Sequence, residues 1–311
     1  EIGRNFMNKL WNASRFVHMN LTDGKAPDMD LDMVELDLPE RWILNQLNQT
    51  AIRVNHQLDY FHFNEAAKAI YEFTWSDFCD WYIEIAKTRF YGNDPEKAEL
   101  ACLVAVHVIK GILTLLHPFS PFITEEIWSY FKHDTDSDLI ISPWINGDAS
   151  QADTEADASM GLLKEIVTAV RTIRSRMNVP PGKKADLVIR NVNGHQSNIE
   201  SFNEIIKTLG RINEITLGAD LEKPDQSATA VVQKMELFVP LKGLIDLNKE
   251  IARLSKRLNE LKGHLAGVEK KLANENFVNQ APENVVAHEK QKLQDMTAEF
   301  NLFKANLDML Q

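Results

Sequence analysis

Cysteine is nearly absent: the 311 residues contain two, Cys79 and Cys102. Two thiols cannot staple a small secreted fold or build a cysteine-rich zinc site, and they suit a reducing compartment, the cytoplasm. Glycine (13) and proline (11) are too scarce for a collagenous or low-complexity chain. No apolar run spans a bilayer comfortably. The longest, 101–116, is interrupted by His107 and Lys110 and reads as a buried core helix. Positive charge is also in short supply, with 34 Lys and Arg against 45 Asp and Glu, a net charge of −11. As a sum this argues against a nucleic-acid binder; its distribution along the chain matters more. Glu1 is not an initiator methionine, no signal peptide follows, and the helical pattern begins at once, so the chain reads as part of a longer polypeptide.

What is present is mainly helical, in three parts. Residues 1–148 read as an antiparallel helix bundle. Phe6, Leu10, Ala13 and Val17 mark a first helix ending near Met19. Pro39 opens a second, which carries Trp42, Ile43, Leu47, Ile52 and Leu58. A third runs from Asn64 to Phe90. Asp94-Pro95 starts a fourth, and Pro121 to Phe131 makes a short fifth. The stretch 134–157 holds Asp134, Asp136, Asp138, Asp148, Asp153, Glu155 and Asp157 with no Lys or Arg, the pattern of a linker. A second acidic loop holds Asp28, Asp30, Asp32 and Glu35.

Residues 149–240 read as a small α+β module. Leu162, Ile166, Val170 and Ile173 mark a helix ending near Met177. Ala185 to Arg190 alternates like a strand, 199–209 is helical, Ile212 to Leu217 is a strand, and 228–232 with 235–239 form a pair. Residues 241–311 carry the strongest pattern. Leu244, Leu247, Ile251, Leu254, Leu258, Leu261, Leu265, Val268 and Leu272 keep three-four spacing. The pattern breaks around Pro282 and resumes through Val286, Leu293, Met296, Phe300, Phe303, Leu307 and Leu310, with Glu289 at a seam position. This predicts an antiparallel coiled-coil hairpin with arms on the order of 45 Å long.

No catalytic constellation stands out. Pro181-Gly182-Lys183-Lys184 lacks the paired glycines of a phosphate loop, there is no His-Glu-x-x-His, and the histidines are scattered, so no metal site is expected. Cys79 sits among Trp75, Phe78 and Trp81 and reads as a packed thiol. What remains is local positive charge. Between Arg171 and Arg190 lie Arg171, Arg174, Arg176, Lys183, Lys184 and Arg190 against the single acid Asp186. In the first hairpin helix, Lys249, Lys256 and Lys270 fall at heptad position f, facing away from the partner helix, and Arg253 adds to the set. A solvated coiled-coil face would carry the same charges. Lys9, Asn12 and Phe16 share one face of the first helix, a cation, an amide and a ring suited to unpaired bases. Packing of Phe16 in the bundle core is the competing reading.

Several segments resemble the valyl-tRNA synthetase family. Arg4 to Phe16 is similar to the helix opening its anticodon-binding bundle. Tyr71 to Trp75 with Phe78 to Tyr82 resembles the bundle's central helix, and His117 to Trp128 a helix break shared with the isoleucyl and leucyl enzymes. Arg174, Met177-Asn178, Pro181 and Gly182-Lys183 match the next segment. Leu272 to Glu275 with Phe277-Val278, Ala281-Pro282 and Glu289-Lys290 resembles the tip of the valyl enzyme's hairpin. The resemblance implies a tRNA-binding C-terminal portion without the family's ATP-handling signatures or editing domain. The parent would join valine to tRNA with ATP and Mg²⁺; this chain would need no cofactor and catalyse nothing alone. Its implied partner is valine tRNA, neither DNA nor a membrane, and its state a monomer. Lys9 and Phe16, with Asn12 beside them, are implied to meet the anticodon, and the hairpin the outer corner of the tRNA. A coiled-coil dimerisation module and the equivalent region of an isoleucyl-type enzyme are the alternatives.

Overall fold

The computed structural model describes residues 1–27, 31–133, 135–192, 194–274, 277 and 282–308. Asp28, Asp30, Asp134, Glu275, Val278, Ala281 and Leu310, singled out above, lie outside the described residues. The chain divides into two compact units, 1–162 and 163–311.

The first unit is a helix bundle. Helix α1 (Ile2–Met19) buries Phe6, Leu10, Ala13, Ser14 and Val17, which lie along one stripe at helical spacing. Helix α2 (Leu38–Asp59) starts with Pro39 in its first turn, where the missing N–H costs nothing. The long third helix is continuous but not uniform. It is α-helical over Phe63–Glu72 (α3) and Ile83–Phe90 (α4), and the ten residues Phe73–Tyr82 between them wind as a π-helix. The side-chain pattern predicts one regular helix here. The wider winding shifts the facing of each side chain, and Phe73, Thr74, Phe78, Cys79 and Tyr82 are all buried on it. Helix α5 (Pro95–Leu116) is capped by the Asp94 side chain, which accepts from the Lys97 N–H at 3.2 Å. It is long and apolar enough to cross a membrane, but its residues from Ala101 onward, His107 and Lys110 apart, are buried in the core of the bundle. Helix α6 (Pro121–Ser129) follows.

Side-chain pairs fix the directions. Arg53 meets Glu72 while Glu40 meets Tyr82, so α2 runs antiparallel to the third helix. Phe6 packs on Tyr71 and Phe16 on Phe90, so α1 runs parallel to it.

The stretch expected to be a linker is instead a strap laid on α2. Arg41 donates to Asp153 (2.8 Å), Asn45 to Asp157 (2.9 Å) and Asn48 to the Asp148 carbonyl (2.7 Å). Asn55 reaches the carbonyls of Ile145 and Asn146, both at 2.9 Å. The acidic run thus finds its partners on a polar face of α2. Gly147 makes the close approach possible: at φ +72°, an added Cβ would lie 2.8 Å from the Asn48 carbonyl and 2.7 Å from Ile52.

Helix α7 (Thr154–Arg176) contains the boundary between the units. It starts ahead of the apolar spacing that begins at Leu162, where Asp153 accepts from the Ala156 N–H at 2.9 Å and supplies the cap. In the second unit, strands β1 (Ala185–Arg190), β2 (Ile212–Gly218), β3 (Ser227–Val232) and β4 (Met235–Pro240) form one sheet ordered β2-β1-β4-β3. β1 and β2 are parallel, as their helical crossover requires; the other pairs are antiparallel. The crossover contains two short helices, α8 (Gln196–Ser201) and α9 (Asn203–Gly210), broken at Phe202, where a single helix is predicted. Helices α10 (Leu247–Leu272) and α11 (Glu283–Asp308) complete the unit. Arg257 pairs with Glu299 and Lys271 with Glu289, so the two run antiparallel. Leu254, Leu261, Val268 and Val286 are buried along the seam. With 26 residues, each helix is about 39 Å long, somewhat shorter than the heptad count suggests.

Candidate nucleic-acid interface

Helix α1 contains three Lys or Arg (Arg4, Lys9, Arg15) and no Asp or Glu. In a chain with excess acid, this concentrates positive potential on one element. Its three predicted contact residues stand in different settings. Asn12 is exposed. Lys9 is ion-paired with Asp80 and lies 3.8 Å from the centroid of the Trp75 ring, which itself stacks on Tyr71. Phe16 is half-buried, with the rings of Phe90 and Tyr91 at 5.7 and 6.4 Å and the Lys87 ammonium 5.5 Å from its own ring. The ring is therefore neither a core residue nor an isolated one. It forms the floor of a small aromatic group whose outermost member, Tyr91, is 74% exposed.

Trp75, Asp80, Phe90 and Tyr91 are missing from the sequence-based set. A ring at position 91, just before the turn Gly92-Asn93-Asp94, is the one local sign that an aromatic is presented to solvent. The partnership of Lys9 with Asp80, 71 positions away, has no local sign.

A buried polar group sits behind this face. Glu40 is fully buried; it accepts from the Tyr82 hydroxyl at 3.2 Å and lies 2.9 Å from Arg89, in ion-pair range but out of hydrogen-bond alignment. Arg89 also reaches Asp37 at 3.1 Å. Burial outweighs the attraction of Arg89 and pushes the Glu40 carboxyl up to about 7. Arg89 directly precedes Phe90, so the pair anchors the end of α4 that presents Phe90 and Tyr91.

The basic stretch of the second unit divides in two. Arg176, Lys183 and Lys184 are exposed, with Lys183 donating to the Gly243 carbonyl at 2.9 Å. Arg171 is exposed and donates to the Leu209 carbonyl at 2.9 Å. Arg174 departs from the expectation of a surface cation. It is 7% exposed, and its guanidinium donates to the carbonyls of Pro180, Lys183 and Arg211, holding the 177–184 turn against β2. A planar fork with five donors satisfies several buried carbonyls at once, which a lysine cannot do. In the arm, Lys249, Lys256 and Lys270 are exposed and have no carboxylate partner among the described residues. Arg253 is held within its own helix by Glu250 at 2.6 Å. Glu289, the seam carboxylate, is matched by Lys271, whose proximity lowers its pKa. Among the described residues no group of three or more His, Cys, Asp or Glu side chains is placed to hold a metal ion.

Residues 40–189 match the anticodon-binding domain of tRNA ligases. From α2 onward the helix bundle thus falls in the class of anticodon-binding regions; α1 precedes the matched residues. Residues 246–311 match the valyl tRNA synthetase tRNA binding arm. The valine–tRNA ligase of Syntrophotalea carbinolica is 39% identical over 309 residues, which is 99% of this chain and 34% of that protein. Those of Bacillus subtilis and Listeria monocytogenes are 39% and 41% identical over 94% of the chain. The chain belongs to the valyl-tRNA synthetase family, and it spans about a third of the length of these relatives.

Proposed function

We propose that the chain is the RNA-holding part of a valine–tRNA ligase. The bundle (1–148) meets the anticodon loop, the module (149–240) joins it to the arm, and the arm (241–311) lies along the outer corner of the tRNA. Phe16 stacks on an unpaired base, Asn12 hydrogen-bonds beside it, and Lys9, held by Asp80, contributes its remaining donors. Arg171, Arg176, Lys183 and Lys184 face the backbone between these sites, and Lys249, Lys256 and Lys270 meet phosphates along the arm, with Arg253 adding charge. Activation of valine with ATP and Mg²⁺ belongs to the rest of the parent enzyme, in the cytoplasm. Pairing of α10 with α11 inside one chain supports a monomer rather than a coiled-coil dimer.

The observation that carries this reading is the acid-free helix α1 with Phe16 on its half-exposed shoulder. Filter binding of valine tRNA and of a second tRNA at two salt concentrations tests it. The expected result is preference for valine tRNA, with log K falling by about 0.7–0.9 per decade of salt for each phosphate neutralised. Equal, salt-insensitive binding of both would refute it.

A further inference from the structure

The turn between α7 and β1 is more than a basic loop. The Lys183 N–H donates to the Pro180 carbonyl at 3.0 Å, closing a β-turn with Pro181 and Gly182 at its centre. Behind it, the buried Arg174 guanidinium donates to the carbonyls of Pro180 and Lys183, at 3.3 and 2.7 Å. The peptide bonds are trans, so the Lys184 N–H points the opposite way from the Lys183 carbonyl, away from Arg174. The N–H groups of Gly182 and Lys184 have no acceptor among the described residues. Gly182 is not at positive φ, and a Cβ added there would meet no atom within 4 Å. Neither the turn nor the packing demands a glycine; its effect is to leave the backbone bare to solvent.

Charge around this turn is unbalanced. Arg174 is buried, yet no carboxylate pairs with it among the described residues. Burial, and then repulsion from Arg211, hold its guanidinium below the usual arginine value. Arg176, Lys184 and Arg211 are exposed and likewise have no carboxylate partner among the described residues. Nearby acids are already engaged, Glu250 with Arg253 and Asn178, and Asp186 with Asn213. A buried cation without a counter-charge is costly, and an anion seated in front of it offsets that cost.

We propose that the 180–184 turn is a preformed site for a single phosphate group of an RNA backbone, which accepts from the Gly182 and Lys184 N–H groups and supplies the negative charge that Arg174 and Arg211 lack. Hydrogen bonds from fixed backbone donors to an anion are strong, and bare N–H groups in a turn form such sites. Arg174 is a positioning residue: by drawing two carbonyls inward it keeps them away from the anion. The site differs from the lysines of the arm in that its donors are fixed, so one phosphate fits it rather than many. The inference rests on the proposed RNA-binding function.

Ethylation interference on valine tRNA bound to the whole chain reads the phosphates one at a time. Gly182→Leu should bind valine tRNA about three- to thirtyfold more weakly and lose interference at one phosphate or two neighbours, while the other positions persist. Because the new side chain meets open space, the variant should melt with the parent. Arg174→Lys keeps the charge without the planar fork. It should lose the same interference position, which a role in folding alone would leave in place. Unchanged affinity and an unchanged interference pattern in Gly182→Leu would overturn the phosphate site while the RNA-binding function stands. Inorganic phosphate is the second arm. If it raises the melting temperature of the parent but not of Gly182→Leu, and both bind tRNA alike, the turn takes free phosphate and its assignment to RNA is overturned. If valine tRNA does not bind the parent chain, the proposed function fails and this inference with it.

Discussion

In the bundle, several cations are tied down. Lys9 is held by Asp80 and the Trp75 ring, Lys87 by Glu84, Arg41 by Asp153, and Arg89 by Asp37 and Glu40. In the arm, Lys249, Lys256 and Lys270 stand in solvent on the face away from the partner helix. A held side chain loses little further conformational entropy on binding and can report the shape of what it meets. A mobile, hydrated ammonium supplies attraction without geometry. The contrast fits base reading by the first surface and phosphate attraction by the second.

The most damaging change should be Gly147→Ala. A Cβ at positive φ with the Asn48 carbonyl 2.8 Å away combines backbone strain with overpacking, about 2–4 kcal/mol together. Urea unfolding should show loss in the transition of the first unit, with the second unit unchanged. An equal shift in both would mean that the strap does not belong to the bundle alone. Next is Phe16→Ala. It should weaken stem-loop binding by about 1–3 kcal/mol and lower bundle stability by less than the 3–5 kcal/mol typical of a fully buried phenylalanine. A stability loss in that upper range would make Phe16 a core residue.

Neither surface is fully readable in the sequence, and for different reasons. Local periodicity carries most of the fold: Phe6, Leu10, Ala13 and Val17 define α1, and the three-four spacing from Leu244 defines α10. The f-position lysines are legible for the same reason, since in a coiled coil the repeat alone decides which way a side chain points. The bundle's polar partnerships are not. Asp153 is an acid in a run of acids until Arg41 and Asn45, more than a hundred positions earlier, are seen to meet it. Arg174 looks like its neighbours until the turn after α7 wraps around it. The π-helical winding of Phe73–Tyr82 leaves a run of aromatics that also fits an ordinary helix, because the change lies in backbone hydrogen bonding.

The contrast extends to pH. The Glu40 carboxyl is raised to about 7, so the folded bundle favours its protonated form. The stability this contributes is complete below the ordinary carboxylate value and is lost as pH rises through about 7. Glu289 in the arm is shifted downward by Lys271, so its contribution is present at neutral pH and lost on acidification. Melting curves of the parent chain and Glu40→Gln from pH 5 to 8 should diverge, the parent losing ground as pH rises. Parallel curves would place the Glu40 carboxyl at its ordinary value.

The smallest effect belongs to the arm. Replacing Lys249, Lys256 and Lys270 by Gln should leave melting unchanged and reduce the salt slope of tRNA binding by about 0.7–0.9 for each phosphate no longer neutralised. It should not alter discrimination between anticodon stem-loops. A change in that discrimination would give the arm a reading role.

Hydroxyl-radical footprinting of valine tRNA bound to the whole chain tests the two-surface account most directly. Protection is expected at the anticodon loop and, separately, at the outer corner, with the corner footprint alone fading in the triple lysine variant. Protection spread evenly along the backbone, or an anticodon loop as reactive as in free tRNA, would contradict it.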